Sequence, residues 1–279
     1  MPERLETVGY GALSDRDFRR LSEYIERELG IRMPDTKRVM LESRLQKRVR
    51  LLGLDGFPAY VDYVFSDEGS RHEILNMIDA VTTNKTDFFR EADHFDFIER
   101  TLVPEAMVAG GGRPLRFWSA GCSTGEEPYT IAMLLREILP AAWSFEIIAS
   151  DISLKSLMVG KEGFYNETRI QGIPDNYLAK YFEKKPNGYQ IKDEIRKTIR
   201  FDYHNLKNDS GARNLDVVFC RNVLIYFDEA AQKASIERFW EAMAPKSFLF
   251  IGHSESLFGM NTRFEFVKTD WACFYKKSI

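Results

Sequence analysis

The sequence predicts an α/β protein with a mostly parallel sheet, preceded by a small all-helical domain. Two observations support this prediction. Up to about residue 82, apolar residues recur at helical spacing without a convincing strand, whereas after residue 113 short β-rich runs alternate with helical ones. Such alternation is typical of a parallel sheet with helices on both faces. The length of 279 residues suits one large domain or two smaller ones.

Composition argues against several other classes of protein. Apolar residues make up 44% of the chain, which supports a large core rather than intrinsic disorder. We find no apolar run long enough to span a bilayer and no apolar signal segment at the start. Cys122, Cys220 and Cys273 lack metal-ligand spacing, so we expect neither a disulfide framework nor a metal site. These features predict a soluble cytoplasmic protein. The net charge of −3 argues against a general nucleic-acid binder, although it does not exclude a local basic patch.

The N-terminal domain, residues 1–82, is predicted to be a bundle of short helices. Ser14 is a candidate N-cap for the first helix, and Gly30 is a candidate stop. The predicted helices span residues 14–30, 35–52, 58–66 and 70–81. A linker follows at residues 83–113 and includes one more helix, near 91–108.

The second domain, residues 114–279, carries the predicted sheet. Its strands are expected at residues 115–120, 146–150, 198–203, 215–220 and 248–252, with helices near 126–139, 153–160 and 228–243. Two consecutive strands at 263–269 and 272–276 would form an antiparallel edge. Residues 164–197 interrupt the alternation and contain the hairpin signal Pro186-Asn187-Gly188, so we expect a small antiparallel β insertion there.

Two features at the predicted strand ends favour a cofactor that carries positive charge. Ligands of such sheets bind beyond the carboxyl ends of the strands. The first strand leads into a turn with Gly121 and Gly125, which either allows close approach of a ligand or is an ordinary tight turn. Glu126 and Glu127 would repel a pyrophosphate there, and the turn matches neither GxGxxG nor a P-loop. Asp151, after the second strand, suits ribose hydroxyls, although it could also cap the next helix. This combination indicates S-adenosylmethionine, which is cationic and has no phosphate.

Four stretches of the chain closely resemble the chemotaxis receptor methyltransferases, the CheR family. They are residues 82–91 (TTNKTDFFRE), 118–129 (WSAGCSTGEEPY), 219–227 (FCRNVLIYF) and 252–255 (GHSE). The motifs stand in the family's order, and the resemblance extends from about residue 12 onward. It implies a Rossmann-like S-adenosylmethionine-dependent methyltransferase fold. It also implies a protein-glutamate O-methyltransferase that acts on the cytoplasmic helices of chemoreceptors and releases S-adenosylhomocysteine.

The resemblance further implies which residues bind the cofactor. They are Asn84, Thr86, Arg90, Glu127, Asp151, Asn205, Leu206, Asn222 and Val223. By position, Asp151 would bind the ribose, and Asn205 with Leu206 would flank the adenine. Arg90 and Glu127 suit the carboxylate and the amino group of the methionine part.

The acceptor of such a reaction needs no general base. A glutamate side chain has a pKa of about 4.3 and is already a nucleophilic carboxylate at neutral pH, so rate depends on orientation. We expect Arg90, Arg221 and Tyr226 to hold that carboxylate. Arg90 has two possible tasks, at the cofactor carboxylate or at the substrate carboxylate, and Tyr226 could instead be a core aromatic.

A basic helix is the predicted receptor-docking element. Residues 36–50 contain six basic side chains and one acidic side chain. In view of the resemblance, which implies a glutamate-rich receptor surface, this run favours docking over a merely solvated helix face. The expected docking residues are Lys37, Arg38, Arg44, Lys47 and Arg48. The β insertion is several residues shorter than in family members that bind a C-terminal receptor tether, which argues against tether binding and favours direct docking.

Three other functions are compatible with parts of the sequence. Residues 252–256 approximate a hydrolase elbow, G-x-S-x-G, but end in Ser256 instead of glycine. A nucleic-acid methyltransferase would commonly carry Asn/Asp-Pro-Pro-Tyr where this chain has residues 222–226, without proline. The third alternative is a signalling module that binds the cofactor without catalysis.

Overall fold

The computed structural model describes residues 11–110 and 113–279 of the chain. These residues form two compact units, one ending at Thr83 and the other beginning at Asn84, and each unit is a continuous stretch of chain. Within the described ranges, no helix combines the length and the apolar character needed to cross a membrane.

The described part of the N-terminal unit is entirely helical apart from its connections. Its helices are α1 (Asp15–Tyr24), α2 (Arg38–Leu51), α3 (Phe57–Val64), α4 (Asp67–His72) and α5 (Ile74–Val81). The Ser14 hydroxyl accepts a hydrogen bond from the Asp17 N–H (3.1 Å), and a π-helical turn, Ile25–Leu29, extends α1 to Gly30. The predicted helix at 70–81 is wrong in one respect, because two helices meet at Glu73 within it.

Glu73 is the most deeply buried acid among the described residues of this unit. Apolar side chains of α1, α2, α3 and α5 form the core of the unit. The acidic side chain of Glu73 is buried with them and is only 1% exposed. Its carboxylate accepts two hydrogen bonds from the Arg48 guanidinium (2.8 and 2.6 Å) and one from the Tyr60 hydroxyl (3.0 Å). These bonds offset the cost of burying the Glu73 charge.

The second unit begins with a bent helix and continues as an alternating α/β chain. The bent helix consists of α6 (Asp93–Phe97), a π-helical turn (Ile98–Leu102) and α7 (Val103–Ala109). The elements that follow are β1 (Leu115–Ala120), α8 (Glu126–Ile138), β2 (Phe145–Asp151), α9 (Leu154–Glu162), β3 (Phe164–Tyr165), α10 (Asp175–Tyr181), β4 (Phe182–Lys185), β5 (Gly188–Ile191), α11 (Asp193–Arg196), β6 (Ile199–Tyr203), β7 (Leu215–Cys220), α12 (Glu229–Ala242), β8 (Met243–Ile251), β9 (Glu265–Lys268) and β10 (Cys273–Lys277).

The main sheet has seven strands in the order β6-β2-β1-β7-β8-β10-β9. The first five strands are parallel, and β10 pairs antiparallel with both β8 and β9. This confirms the predicted parallel sheet with an antiparallel edge. Because the chain passes from β1 to β2 and β6 on one side and returns to β7 and β8 on the other, the topological switch lies between β1 and β7.

Two local features complete this unit. The inserted segment forms a small antiparallel sheet in the order β3-β5-β4, as predicted. The strand predicted at 248–252 begins earlier than expected, at Met243, which pairs with Leu215 before a bulge interrupts the register with β7. The predicted helix at 228–243 accordingly stops at Ala242.

Candidate cofactor and methyl-acceptor site

The turn after β1 lies at the topological switch and is held by long-range hydrogen bonds. Gly121 has a φ of +87°, and a Cβ at this position would lie 2.5 Å from Val223 Cγ2, so only glycine fits. The Ser123 N–H donates to Asp151 Oδ2 (2.7 Å), and the Ser123 hydroxyl donates to the Asn84 carbonyl (3.1 Å). The turn therefore joins the start of this unit to the carboxyl end of β2.

Asp151 lies at the carboxyl end of β2, and it is not the cap of the helix that follows. Its Oδ1 accepts from the Ser153 N–H (2.8 Å), and the cap of α9 is Ser153, whose hydroxyl oxygen accepts from the Ser156 N–H (3.1 Å). The Asp151 carboxylate is therefore oriented at the strand end, where acids of this fold type bind ribose.

The two neighbouring acids at the start of α8 have different partners. Glu126 is fully buried and accepts from the Thr124 hydroxyl (2.8 Å) and from Arg169. Glu127 accepts from the Ser119 hydroxyl (2.6 Å) through Oε1 and from Arg221 Nε (2.7 Å) through Oε2. Glu127 thus stands at the switch point with a fixed orientation.

Arg221 is held inside the protein. Its side chain is 3% exposed, and besides Glu127 its Nη1 donates to the Arg90 carbonyl (2.7 Å). The sequence suggested that Arg221 holds a substrate carboxylate. The structure gives its guanidinium another task, which is to join the end of β7 to α8 and to the segment around Arg90.

Two residues that the sequence analysis did not single out complete this network. Glu91 Oε2 lies 3.5 Å from Arg221 Nη1, and Glu91 Oε1 accepts from Asn222 Nδ2 (3.4 Å). His94 is 1% exposed, with Nδ1 3.3 Å from Arg221 Nη1. Burial and the Arg221 charge lower the pKa of His94 to about 4, so its ring is neutral at pH 7. Only their position in the sequence could have indicated these two residues, because Glu91 is the last residue of the 82–91 motif and His94 follows it.

This network also contains atoms of the kind that bind metals. Glu91, His94 and His253 place ligand atoms within 4.8 Å of one another. The Arg221 guanidinium beside His94 and Glu91 repels a cation at this point, which disfavours metal binding there.

The other predicted residues lie on adjacent segments of this unit. Arg90 is half-buried and donates to the Lys85 carbonyl (3.2 Å). Thr86 is half-buried in the segment between them. Asn205 and Leu206 follow β6, where Asn205 Oδ1 accepts from the Lys207 N–H (3.0 Å) and Leu206 is buried.

Tyr226 lies on the β7 side of the site. It belongs to a 3₁₀ turn, Leu224–Tyr226, and is half-buried instead of being a core aromatic.

The predicted docking residues of α2 fall into two groups. Arg48 pairs with buried Glu73, and Arg44 donates to the Val81 carbonyl, to the Thr82 carbonyl (3.1 Å) and to the Thr83 hydroxyl (2.8 Å). Two more are also bonded within the unit, Arg38 to Asp15 (2.6 Å) and Lys37 to the Arg32 carbonyl (2.7 Å).

Lys47, by contrast, is exposed. It shares the solvent side of the helix with an exposed basic residue and two exposed apolar residues. We call this set the α2 outer face: Val39, Lys47, Arg50 and Leu51.

The carboxylates at the carboxyl ends of the strands fit S-adenosylmethionine. Asp151 and Glu127 supply fixed carboxylates for hydroxyl and ammonium donors, and the Gly121 turn permits close approach. The sheet topology and this site together define an S-adenosylmethionine-dependent methyltransferase.

Comparison with known proteins gives the family. Residues 84–273 match the model of the CheR methyltransferase S-adenosylmethionine-binding domain, and residues 16–82 match that of the CheR methyltransferase all-alpha domain. The chain belongs to the CheR methyltransferase family.

Similar proteins include chemotaxis protein methyltransferases of three bacteria. That of Borreliella burgdorferi is 34% identical over 90% of this chain and 91% of its own length. Chemotaxis protein methyltransferase 2 of Vibrio cholerae is 36% identical over 88% and 87%. The Escherichia coli protein is 37% identical over 95% and 90%.

Proposed function

We propose that this methyltransferase transfers a methyl group from S-adenosylmethionine to glutamate side-chain carboxylates on the cytoplasmic helices of chemoreceptors. The products are glutamate methyl esters and S-adenosylhomocysteine, and the enzyme works in the cytoplasm. The proposal is supported by its similarity to chemotaxis protein methyltransferases and by the chemistry of the site.

The environment of the Arg90 side chain is the main structural support for this proposal. It is half-buried, and its carbonyl accepts from Arg221, which also donates to Glu127. Among the described residues, its side chain donates only to the Lys85 carbonyl. A guanidinium has five N–H donors and matches the geometry of a carboxylate, so Arg90 is suited to bind one.

The cofactor supplies an activated methyl group, and the protein supplies orientation. An ionised glutamate is already nucleophilic, and well-oriented reactants can gain roughly 7–11 kcal/mol over free encounter. Arg90 and Tyr226 are the side chains that we assign to positioning near the acceptor, with Arg90 also serving the cofactor. Arg221 orients Glu127 and the Arg90 backbone.

Docking of the receptor is assigned to the α2 outer face. Lys47 and Arg50 are exposed cations on this face, and Val39 and Leu51 are 73% and 62% exposed. A basic face with apolar contacts suits an acidic amphipathic helix. We propose direct docking of this kind instead of capture of a receptor tether.

The proposed reaction can be tested with radiolabelled S-adenosylmethionine and membranes that carry chemoreceptors. Label that appears on the receptor and is released by mild base identifies a carboxyl methyl ester. An Asp151→Asn variant should lose both labelling and affinity for S-adenosylhomocysteine. Retained cofactor binding without transfer would instead identify a non-catalytic signalling module, and labelled RNA would identify a nucleic-acid methyltransferase.

A further inference from the structure

The segment that follows β8 turns its acidic side chain towards the neighbouring strand. Residues 252–255 form a tight turn in which the Glu255 N–H donates to the Gly252 carbonyl (2.8 Å). Because β7 and β8 are adjacent and Cys220 lies opposite Ile251, this turn stands beside the turn that begins at Arg221. Neither the cofactor assignment nor the docking assignment gives Glu255 a task.

The Glu255 carboxylate collects backbone N–H groups from both turns. Oε2 accepts from the N–H of Asn222 and from that of Gly252, each at 2.7 Å, and Oε1 accepts from the Ile225 N–H (3.2 Å). Backbone N–H groups that converge in a turn form an anion-binding nest. Here the anion is a side chain of the protein itself. Burial raises the pKa of Glu255, while the backbone donors of Gly252 and Asn222 act in the opposite direction.

The conformation that these bonds hold is an uncommon one. Asn222 has a φ of +58°, in the left-handed region that few non-glycine residues adopt. Such a conformation persists where surrounding contacts over-determine it. The Asn222 amide also donates to Glu91 (3.4 Å), so both the backbone and the side chain of Asn222 are fixed by carboxylates.

Gly252 makes this arrangement possible. Its φ is not in the left-handed region, but a Cβ would lie 2.4 Å from Asn222 Nδ2. On the other side of the same turn, Val223 fills the space beside Gly121. The turn at 222–223 is therefore packed between the glycine turn after β1 and the glycine of the 252–255 motif.

We infer that Glu255 is a positioning residue, whose carboxylate fixes the Asn222–Val223 turn in the conformation that binds the cofactor. The inference rests on the cofactor role proposed for Asn222 and Val223, but not on the identity of the methyl acceptor. Glu255 acts through the backbone and need not touch the cofactor.

The test compares Glu255→Gln with Ser254→Ala, using the full chain. A glutamine keeps the size of the side chain but presents an amide N–H₂ to a nest of donors. We expect calorimetry to show affinity for S-adenosylhomocysteine reduced about tenfold or more, which corresponds to about 1.4 kcal/mol per factor of ten. Hydrogen exchange should accelerate in peptides that cover residues 221–227 and remain unchanged in α8. Ser254 is exposed and has no side-chain hydrogen bond among the described residues, so Ser254→Ala should behave as the unmodified protein.

Two results would overturn the inference. Unchanged affinity and unchanged exchange in Glu255→Gln would show that the nest is dispensable. Acceleration of exchange throughout the second unit would show a merely structural role. The first result would leave the proposed methyltransferase function intact. In that case the unmodified protein, Glu255→Gln and Ser254→Ala would all bind S-adenosylhomocysteine with the same affinity, and only the positioning role of Glu255 would fail.

A second variant covers the case in which Glu255→Gln does not fold. Gly252→Ala leaves the carboxylate in place and disturbs Asn222 from the opposite side through the 2.4 Å approach to its amide. We expect the same loss of affinity and the same local acceleration of exchange. Full affinity in Gly252→Ala would contradict the inference.

Discussion

Arg221 shows how burial changes the task of a charged side chain. From the sequence, an arginine directly after a strand in a methyltransferase motif suggests contact with an anionic substrate. In the structure its guanidinium is nearly inaccessible and is bonded to Glu127 and to the Arg90 carbonyl. These partners are separated from Arg221 by 94 and 131 residues, so no local pattern reveals them. The sequence therefore treats Arg90 and Arg221 alike, whereas the structure shows that Arg221 is buried and paired.

The two possible tasks of Arg90 can be separated by experiment. We expect Arg90→Gln to weaken binding of S-adenosylhomocysteine by about tenfold or more, because a charge-assisted hydrogen bond to a carboxylate is worth roughly 1.5–3 kcal/mol. Arg90→Lys should recover part of the affinity, since it keeps the charge but loses the planar fork. The measurements are calorimetry for the cofactor product and the KM for receptor.

The alternative result for Arg90 is equally clear. A raised KM for receptor with unchanged affinity for S-adenosylhomocysteine would limit Arg90 to the acceptor and remove its proposed task at the cofactor.

At the scale of single elements, α2 has two sides with different roles. Apolar spacing predicts a buried stripe of Leu41, Leu45, Val49 and Leu52. The first three are fully buried, whereas Leu52 follows the helix and is half-buried. Spacing alone could not show whether the charges beside that stripe face solvent or are bonded within the unit. The partners of Arg44 and Arg48 lie on or just after other helices. The break at Glu73 was missed for the same reason, since the inward turn of this acid depends on Arg48 and Tyr60.

The outer face of α2 gives the docking prediction. We expect Lys47→Glu with Arg50→Glu to raise the KM for receptor several-fold, because it reverses two exposed charges opposite an acidic partner. The effect should shrink at high salt, as screening weakens contacts between exposed charges. Steady-state methylation kinetics at two ionic strengths measure it.

A matched control is available on α1, where Arg16 and Arg19 are also exposed. Reversal of that pair should leave the KM for receptor near its original value. Equal effects of the two double reversals would reduce docking to a general effect of net charge.

A substitution on the inner side of α2 is expected to lower the stability of the N-terminal unit and to leave receptor recognition unchanged. Arg48→Gln removes the guanidinium and leaves the buried Glu73 carboxylate with neutral donors, among them Tyr60 and Asn76. Removing one partner of a buried ion pair typically costs about 3–5 kcal/mol, and the partial exposure of Arg48 (21% of its side chain) points to the lower end. Urea unfolding of the N-terminal unit measures this loss. Unchanged stability, together with a raised KM for receptor, would return Arg48 to the docking surface.

At the scale of the whole molecule, the sequence predicted the class of fold and the order of its strands along the chain. Strand alternation and the paired final strands were visible as patterns of apolar residues and turns. The early start of β8 was not, because Pro245 and a bulge interrupt the pattern between Met243 and Phe248. The site residues named from the sequence remain predictions. The contacts of Glu91, His94 and Glu255 join segments that are distant along the chain, so no local pattern reveals them.

Acid should weaken the second unit through His94. The pKa of this ring is about 4 when folded and about 6.5 when exposed, so the unfolded chain binds more protons between these values. The stabilisation is complete above pH 6.5 and is lost as the pH falls towards 4. We expect a loss of a few kcal/mol at most, because one pKa unit corresponds to 1.36 kcal/mol. Arg221, Glu91, Asp93 and His253 are the charged or titratable groups that face this ring.

Calorimetric unfolding at pH 7.5 and pH 5 tests the role of His94. His94→Asn should flatten the pH dependence of the second unit, whereas His72→Asn, at an exposed site on α4, should leave it unchanged. Parallel pH dependences in all three proteins would exclude His94 as the cause.

The junction at Thr83 and Asn84 has an evolutionary consequence. Since each unit is one uninterrupted length of chain, a single crossover between two genes of this family exchanges the whole of one unit and leaves the other untouched. With receptor docking proposed on α2, we expect a chimaera made at this peptide bond to take its choice of receptor from one parent and its methyl-donor chemistry from the other.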